Sequence, residues 1–108
     1  MRIGELALRS GVKAETIRFY ENTGVLAVPE RSGANYRSYN EGHLESLILV
    51  RQLRDVGFEI SDLPLCLNIL AQKPLSESHA ADVSDIKRRL EAKLRVLSRL
   101  RTALSKSP

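Results

Sequence analysis

The chain has 108 residues, 43% of them hydrophobic and 28% charged, with a net charge of +4 and a pI near 9.6. That length allows one small domain plus an appended element, and that apolar content excludes a disordered chain. The apolar run Leu47–Val50 stops at Arg51, Glu5 and Arg9 interrupt the N-terminal segment, and a lone cysteine excludes an internal disulfide, so a cytoplasmic chain with no membrane span and no signal peptide is expected.

Residues 1–60 carry eight Lys/Arg and eight Asp/Glu, and the basic excess, nine against five, lies in residues 61–108. Net charge therefore does not argue for nucleic acid; the placement of particular cations does.

The first segment, Leu6 to Ile17, reads as a helix-turn-helix. Ala7 is small enough for two helices to cross closely, and Gly11, four residues on, tolerates the positive φ of the bend. Val12 and Ile17 then bury the second helix against the first. Lys13, Thr16 and Arg18 are left on its outer surface, where a major groove could receive them. Thr16 reads equally as a solvated helix hydroxyl. Tyr20 either donates to a phosphate or seals its ring against Leu26.

A hairpin follows, with the turn cluster Ser32-Gly33-Ala34-Asn35 between Pro29 and Tyr36-Arg37-Ser38-Tyr39. A phenol donates one hydrogen bond and a guanidinium forks onto two oxygens, so Arg31, Tyr36 and Arg37 suit phosphate contacts. The bland reading makes Tyr36 and Tyr39 core aromatics and leaves Arg37 solvated.

Asn40 is the expected N-cap of a third helix, in which Leu44, Leu47, Ile48 and Val50 or Arg51 recur at helical spacing and which Gly57 ends after Val56. Arg54, near its end, either adds a phosphate contact or is an ordinary exposed cation. A fourth helix from Ser61, as cap, to about Ala71 places Pro64 in its first turn, where the missing N–H costs little. Lys73-Pro74-Leu75-Ser76 reads as a break. From Asp82 to Lys106 one long helix repeats Val83, Ile86, Leu90, Leu94, Leu97, Leu100 and Leu104 along a stripe. Such a helix is roughly 37 Å long, too long for the preceding body to cover. Its natural partner is a second copy, so a homodimer joined by a two-helix coiled coil is expected. The alternative is a helix folded back on its own domain.

Ile3-Gly4-Glu5-Leu6-Ala7, Thr16-Ile17-Arg18-Phe19-Tyr20-Glu21, Gly24-Val25-Leu26 and Tyr36-Arg37-Ser38-Tyr39 together resemble the DNA-binding domain of MerR-type transcriptional regulators. Arg51 to Phe58 continues the match and resembles the copper-sensing branch in particular. The resemblance implies a mainly α fold: a winged helix-turn-helix domain over residues 1–72, a linker over 73–81 and a dimerisation helix over 82–106 that forms an antiparallel coiled coil. It also implies double-stranded promoter DNA with an inverted repeat as partner, bending and untwisting of that DNA, and cooperation with RNA polymerase.

Metal-sensing branches of that family place cysteines at the start of the dimer helix and in a loop beyond its end. Here Ser78-His79-Ala80-Ala81-Asp82 stand at the start, and the sequence to Pro108 holds no such cysteine. Soft-metal sensing therefore lacks its thiolates, and no cofactor is expected. His79 is a weak metal candidate and reads as solvated, as does His43. Cys66, among Leu65, Leu67 and Ile69, reads as a small core residue. No nucleophile-base set, paired carboxylates or phosphate-cradling glycine loop indicates an enzyme. Two rival readings are a protein-interaction adaptor, which the intact Arg18, Tyr36 and Arg37 oppose, and an excisionase-like DNA-bending factor, which the long terminal helix opposes.

Overall fold

The computed structural model describes residues 1–107 and divides after Lys73 into two compact units. In order, the elements are α1 (Ile3–Ser10), α2 (Ala14–Asn22), β1 (Glu30–Arg31), β2 (Arg37–Ser38), α3 (Glu41–Asp55), α4 (Leu63–Leu70) and α5 (Ala80–Ser105), with 3-10 turns at Ile60–Asp62 and Glu77–His79. The fold is thus mainly helical, with an N-terminal helix-turn-helix, a two-stranded wing and a long final helix.

The first unit is built around one core. Leu6 from α1, Ile17 from α2, Leu47 from α3 and Leu63 from α4 are all fully buried, and Val12, Val25, Leu26, Leu44 and Val50 close around them. The stripe on α3 runs through His43, Leu44, Leu47 and Val50, while Ile48, which the spacing placed with them, is 42% exposed. Cys66 is buried on α4.

Asn40 caps α3 as its sequence position predicts, accepting from the His43 N–H at 3.2 Å. His43 overturns its own expectation. It is buried rather than solvated, its Nδ1 lies 3.1 Å from the Asn40 N–H, and its Nε2 lies 3.1 Å from the Ala27 carbonyl. An imidazole can complete such a capping box and keep both ring nitrogens partnered, which is why it tolerates burial.

The fourth helix starts two residues later than Ser61. Asp62 accepts from the Glu59 N–H at 2.9 Å and closes a 3-10 turn first, so Pro64 still falls in the first turn of α4. The second unit is residues 74–107. Its 3-10 turn is closed by Ser76 and His79, whose Nδ1 lies 2.9 Å from the Ser76 hydroxyl, so His79 serves a turn instead of standing free in solvent. On the 26-residue α5, Asp85 pairs with Arg88 and Arg89, and those guanidinium groups hold its carboxyl below the usual range. No residue of α5 is buried. Among the described residues, no helix is long and apolar enough to cross a membrane.

Candidate nucleic-acid interface

The bend between α1 and α2 rests on Gly11, in the left-handed conformation at φ 73°, whose N–H returns to the Ala7 carbonyl at 2.9 Å. Arg51, exposed on α3, donates to the Ser10 carbonyl at 2.9 Å. The buried Ser10 hydroxyl accepts from the Val12 N–H at 3.1 Å. The bend is thereby held from both sides, which fixes the angle at which α2 leaves it. Helix α2 then buries Ile17 and Tyr20 and presents Arg18 and Phe19 outward, with Thr16 half-buried between the two faces; Lys13, expected on the helix, is instead its exposed, extended N-cap. Phe19 is 44% exposed, an unusual position for a large aromatic.

The C-terminus of α2 is closed by the Thr23 hydroxyl, which donates to the Phe19 carbonyl at 2.9 Å, and by the Val25 N–H returning to the Tyr20 carbonyl at the same distance. The wing follows. Its strands are antiparallel, with Glu30 opposite Ser38 and Arg31 opposite Arg37. Asn35 takes the left-handed conformation at φ 64°, its N–H meets the Ser32 carbonyl at 2.8 Å, and the Ser32 hydroxyl accepts from the Tyr36 N–H at 3.2 Å.

One carboxylate ties the wing to α2. Glu21, with a side chain only 6% exposed, accepts from the Tyr39 phenol, and Arg37 Nε lies 3.5 Å from its other oxygen. Tyr39 is buried edge-on against His43, and its N–H donates to the Met1 carbonyl at 2.7 Å. Burial, followed by the hydrogen bond to Glu21 and that residue's charge, pushes the Tyr39 phenol up to about 12. On the other side of α1, Arg9 forks onto Glu41 at 2.8 and 3.1 Å.

Six of the eight side chains singled out for DNA therefore lie at the surface: Lys13, Arg18, Arg31, Tyr36, Arg37 and Arg54. Arg31 Nη1 also donates to the Asn35 carbonyl at 3.3 Å, and Arg54 Nη1 to the Phe58 carbonyl at 3.0 Å, so both brace their own turns. Thr16 is half-buried, and Tyr20 is 7% exposed with its ring in the core, the arrangement that sealing against Leu26 requires. The sequence pattern assigns no site role to Glu21, Arg51 or Arg2, whose guanidinium stacks 3.9 Å over the Tyr36 ring. One signal for Glu21 was available: Arg37 and Tyr39 lie two apart in an extended segment, share a face, and so can meet one acid.

A helix-turn-helix followed by a wing and a long terminal helix defines a winged helix-turn-helix regulator fold. The pattern of the MerR HTH family regulatory proteins matches residues 1–67, and the chain belongs to that family. It is 38% identical over 91 residues to the HTH-type transcriptional regulator CueR of Salmonella typhi, an overlap of 84% of this chain and 62% of CueR. Against the mercuric resistance operon regulatory protein of Bacillus cereus it is 30% identical over 95 residues, covering 83% and 72%. The chain thus spans less than two thirds of the length of CueR. Among solved structures, the transcription regulator PbrR691 from Ralstonia metallidurans CH34, in complex with lead(II), superposes with a TM-score of 0.64 at 32% identity, covering 97% of this chain and 82% of that one. HiNmlR, a MerR family regulator lacking the sensor domain and bound to promoter DNA, gives 0.65 at 18% identity, with 97% and 78% covered. At that identity the likeness is one of fold alone.

Proposed function

We propose that this protein is a transcriptional regulator that binds promoter DNA as a homodimer. The observation that carries the reading is the outward face of α2, with Arg18 exposed on a helix whose opposite face is buried and Lys13 exposed at its N-cap, on the same compact unit as a wing bearing Arg31, Tyr36 and Arg37. An α-helix fits the major groove, and cations flanking it fix its register on the phosphates. Arg18 reads a base edge or the adjacent phosphate, with Lys13 and Thr16 beside it. The wing residues and Arg54 grip the backbone, and Tyr20 supports α2 from the core.

Dimerisation is supported by α5, whose Leu90, Leu94, Leu97, Leu100 and Leu104 are 40–64% exposed in the single chain, while Val83 and Ile86 are partly covered. A two-fold pair of such helices would hold two reading heads on an inverted repeat. By family likeness the dimer bends and untwists the promoter for RNA polymerase in the cytoplasm, a deformation costing several kcal/mol by general elastic estimates (about 1–6).

The test is a binding titration on an inverted-repeat duplex selected by the protein from a random pool, against an unrelated duplex. Arg18→Ala is expected to lose roughly 1–3 kcal/mol of discrimination between the two if it reads a base. A variant with wild-type affinity and wild-type discrimination would refute the assignment of α2 as the reading helix.

A further inference from the structure

Beside the wing lies a concavity of about 290 Å³ lined by Arg2, Ile3, Arg31, Asn35, Tyr36 and Arg37. Three arginines therefore line one hollow. Arg2 is held there by its planar face, 3.9 Å above the centre of the Tyr36 ring. Stacking occupies the face of a guanidinium and leaves the N–H groups of its edge for an acceptor. Arg31 uses one N–H on the Asn35 carbonyl, and Arg37 directs Nε at Glu21, so each keeps further donors. The nearby acids offset only part of this charge. Glu21 is a single carboxylate with a side chain 6% exposed, and Glu30, the neighbour of Arg31 in β1, projects to the opposite face of its strand.

We infer that this hollow seats one backbone phosphodiester of the DNA duplex in each protomer, with Arg2 as a ligand alongside Arg31 and Arg37. The inference rests on the DNA-binding reading and adds to it a contact from the residue that precedes α1. Stacking on Tyr36 gives a long side chain one orientation before DNA arrives, so less rotamer freedom is lost on binding. It also assigns the Tyr36 ring a task separate from its hydroxyl: the ring orients Arg2.

The experiment measures the affinity of the wild type, Arg2→Ala and Arg2→Lys for the selected duplex across a salt series, with thermal melts to establish that each variant is folded. Each phosphate neutralised contributes about 0.9 to the slope of log K against log salt, so losing one per protomer lowers the dimer's slope by about 1.8. Between 50 and 200 mM salt the wild type should thus lose about tenfold more affinity than Arg2→Ala. Arg2→Lys should keep the wild-type slope, because the charge remains. An Arg2→Ala slope equal to that of the wild type overturns the inference, as does an Arg2→Lys slope equal to that of Arg2→Ala. If the wild type selects no duplex at all, the proposed function itself fails.

Discussion

Residues 1–73 and residues 74–107 treat their apolar side chains in opposite ways. In the first, Leu6, Ile17, Leu47 and Leu63 have no exposed surface, and the polar groups at the bends have partners. In the second, a 26-residue helix carries five leucines at heptad-like spacing, none less than 40% exposed. A helix of that length gains most of its stability from packing rather than from intrinsic propensity. The contrast teaches that the two units specify different things. The first specifies a fold with its own residues; the second, taken by itself, leaves its apolar stripe uncovered.

The comparison breaks most decisively if the stripe does not join two chains. Leu94→Asp combined with Leu97→Asp should make the purified protein monomeric by sedimentation equilibrium. It should also weaken binding to the inverted repeat by about 100- to 10,000-fold, because the two reading heads no longer share one binding event. The melt of the first unit should survive. Persistence of a dimer would show that these leucines do not hold it.

Next in size is the core. Leu47→Ala should lower unfolding stability by about 2–5 kcal/mol, since a fully buried leucine at the meeting of three helices leaves a cavity. The same truncation at Leu100, 56% exposed, should leave a monomeric background almost unchanged. Equal losses at the two sites in denaturant titrations would erase the distinction between the units.

A finer contrast lies within the first unit, between two glycines with positive φ. A Cβ on Gly11, at φ 73°, would stand 2.5 Å from Arg51 Nη1, whereas one on Gly24, at φ 79°, meets nothing within 4 Å. Gly24→Ala should cost only the backbone strain, about 1–2 kcal/mol. Gly11→Ala should cost more, because Arg51 must release the Ser10 carbonyl. If Gly24→Ala proves the costlier in thermal or denaturant melts, then Arg51 does not hold the bend as described.

Much of this architecture was legible in the residues because its determinants are local. Gly11 at the bend, Asn40 as a cap and Pro64 in a first turn each act within four residues of where they stand. What escaped was carried by pairs distant in sequence. Arg51 meets Ser10 across 41 positions, and Tyr39 meets Glu21 across 18. No periodicity encodes such a meeting, since it depends on how helices cross. His43 escaped for a related reason: its Asn40 partner is local, but the Ala27 carbonyl that makes burial tolerable is 16 residues away. The candidate interface divided the same way. The exposure of Arg18 on α2 follows from helix geometry, whereas the stacking of Arg2 on Tyr36 needs the folded wing.

The smallest effect concerns how the wing is fastened, and pH can read it. The Tyr39 phenol is raised from 10.0 to about 12, chiefly by burial and then by Glu21. A group whose folded pKa lies above its unfolded value stabilises fully below the unfolded one and loses that contribution as pH rises toward the folded one. The Tyr39–Glu21 contact should therefore hold at neutral pH and fail between about pH 10 and 12. An ultraviolet titration of tyrosinate should show one phenol ionising last, and Tyr39→Phe should delete that final step. Glu21→Gln should move the step to lower pH, because it keeps a hydrogen-bond acceptor while removing the charge that opposes ionisation. It should also loosen Arg37, which would lose its ion pair and with it a fixed orientation toward the phosphates. A wild-type titration complete well below pH 12 would place the Tyr39 ring in solvent, and the wing would then lack its tie to α2.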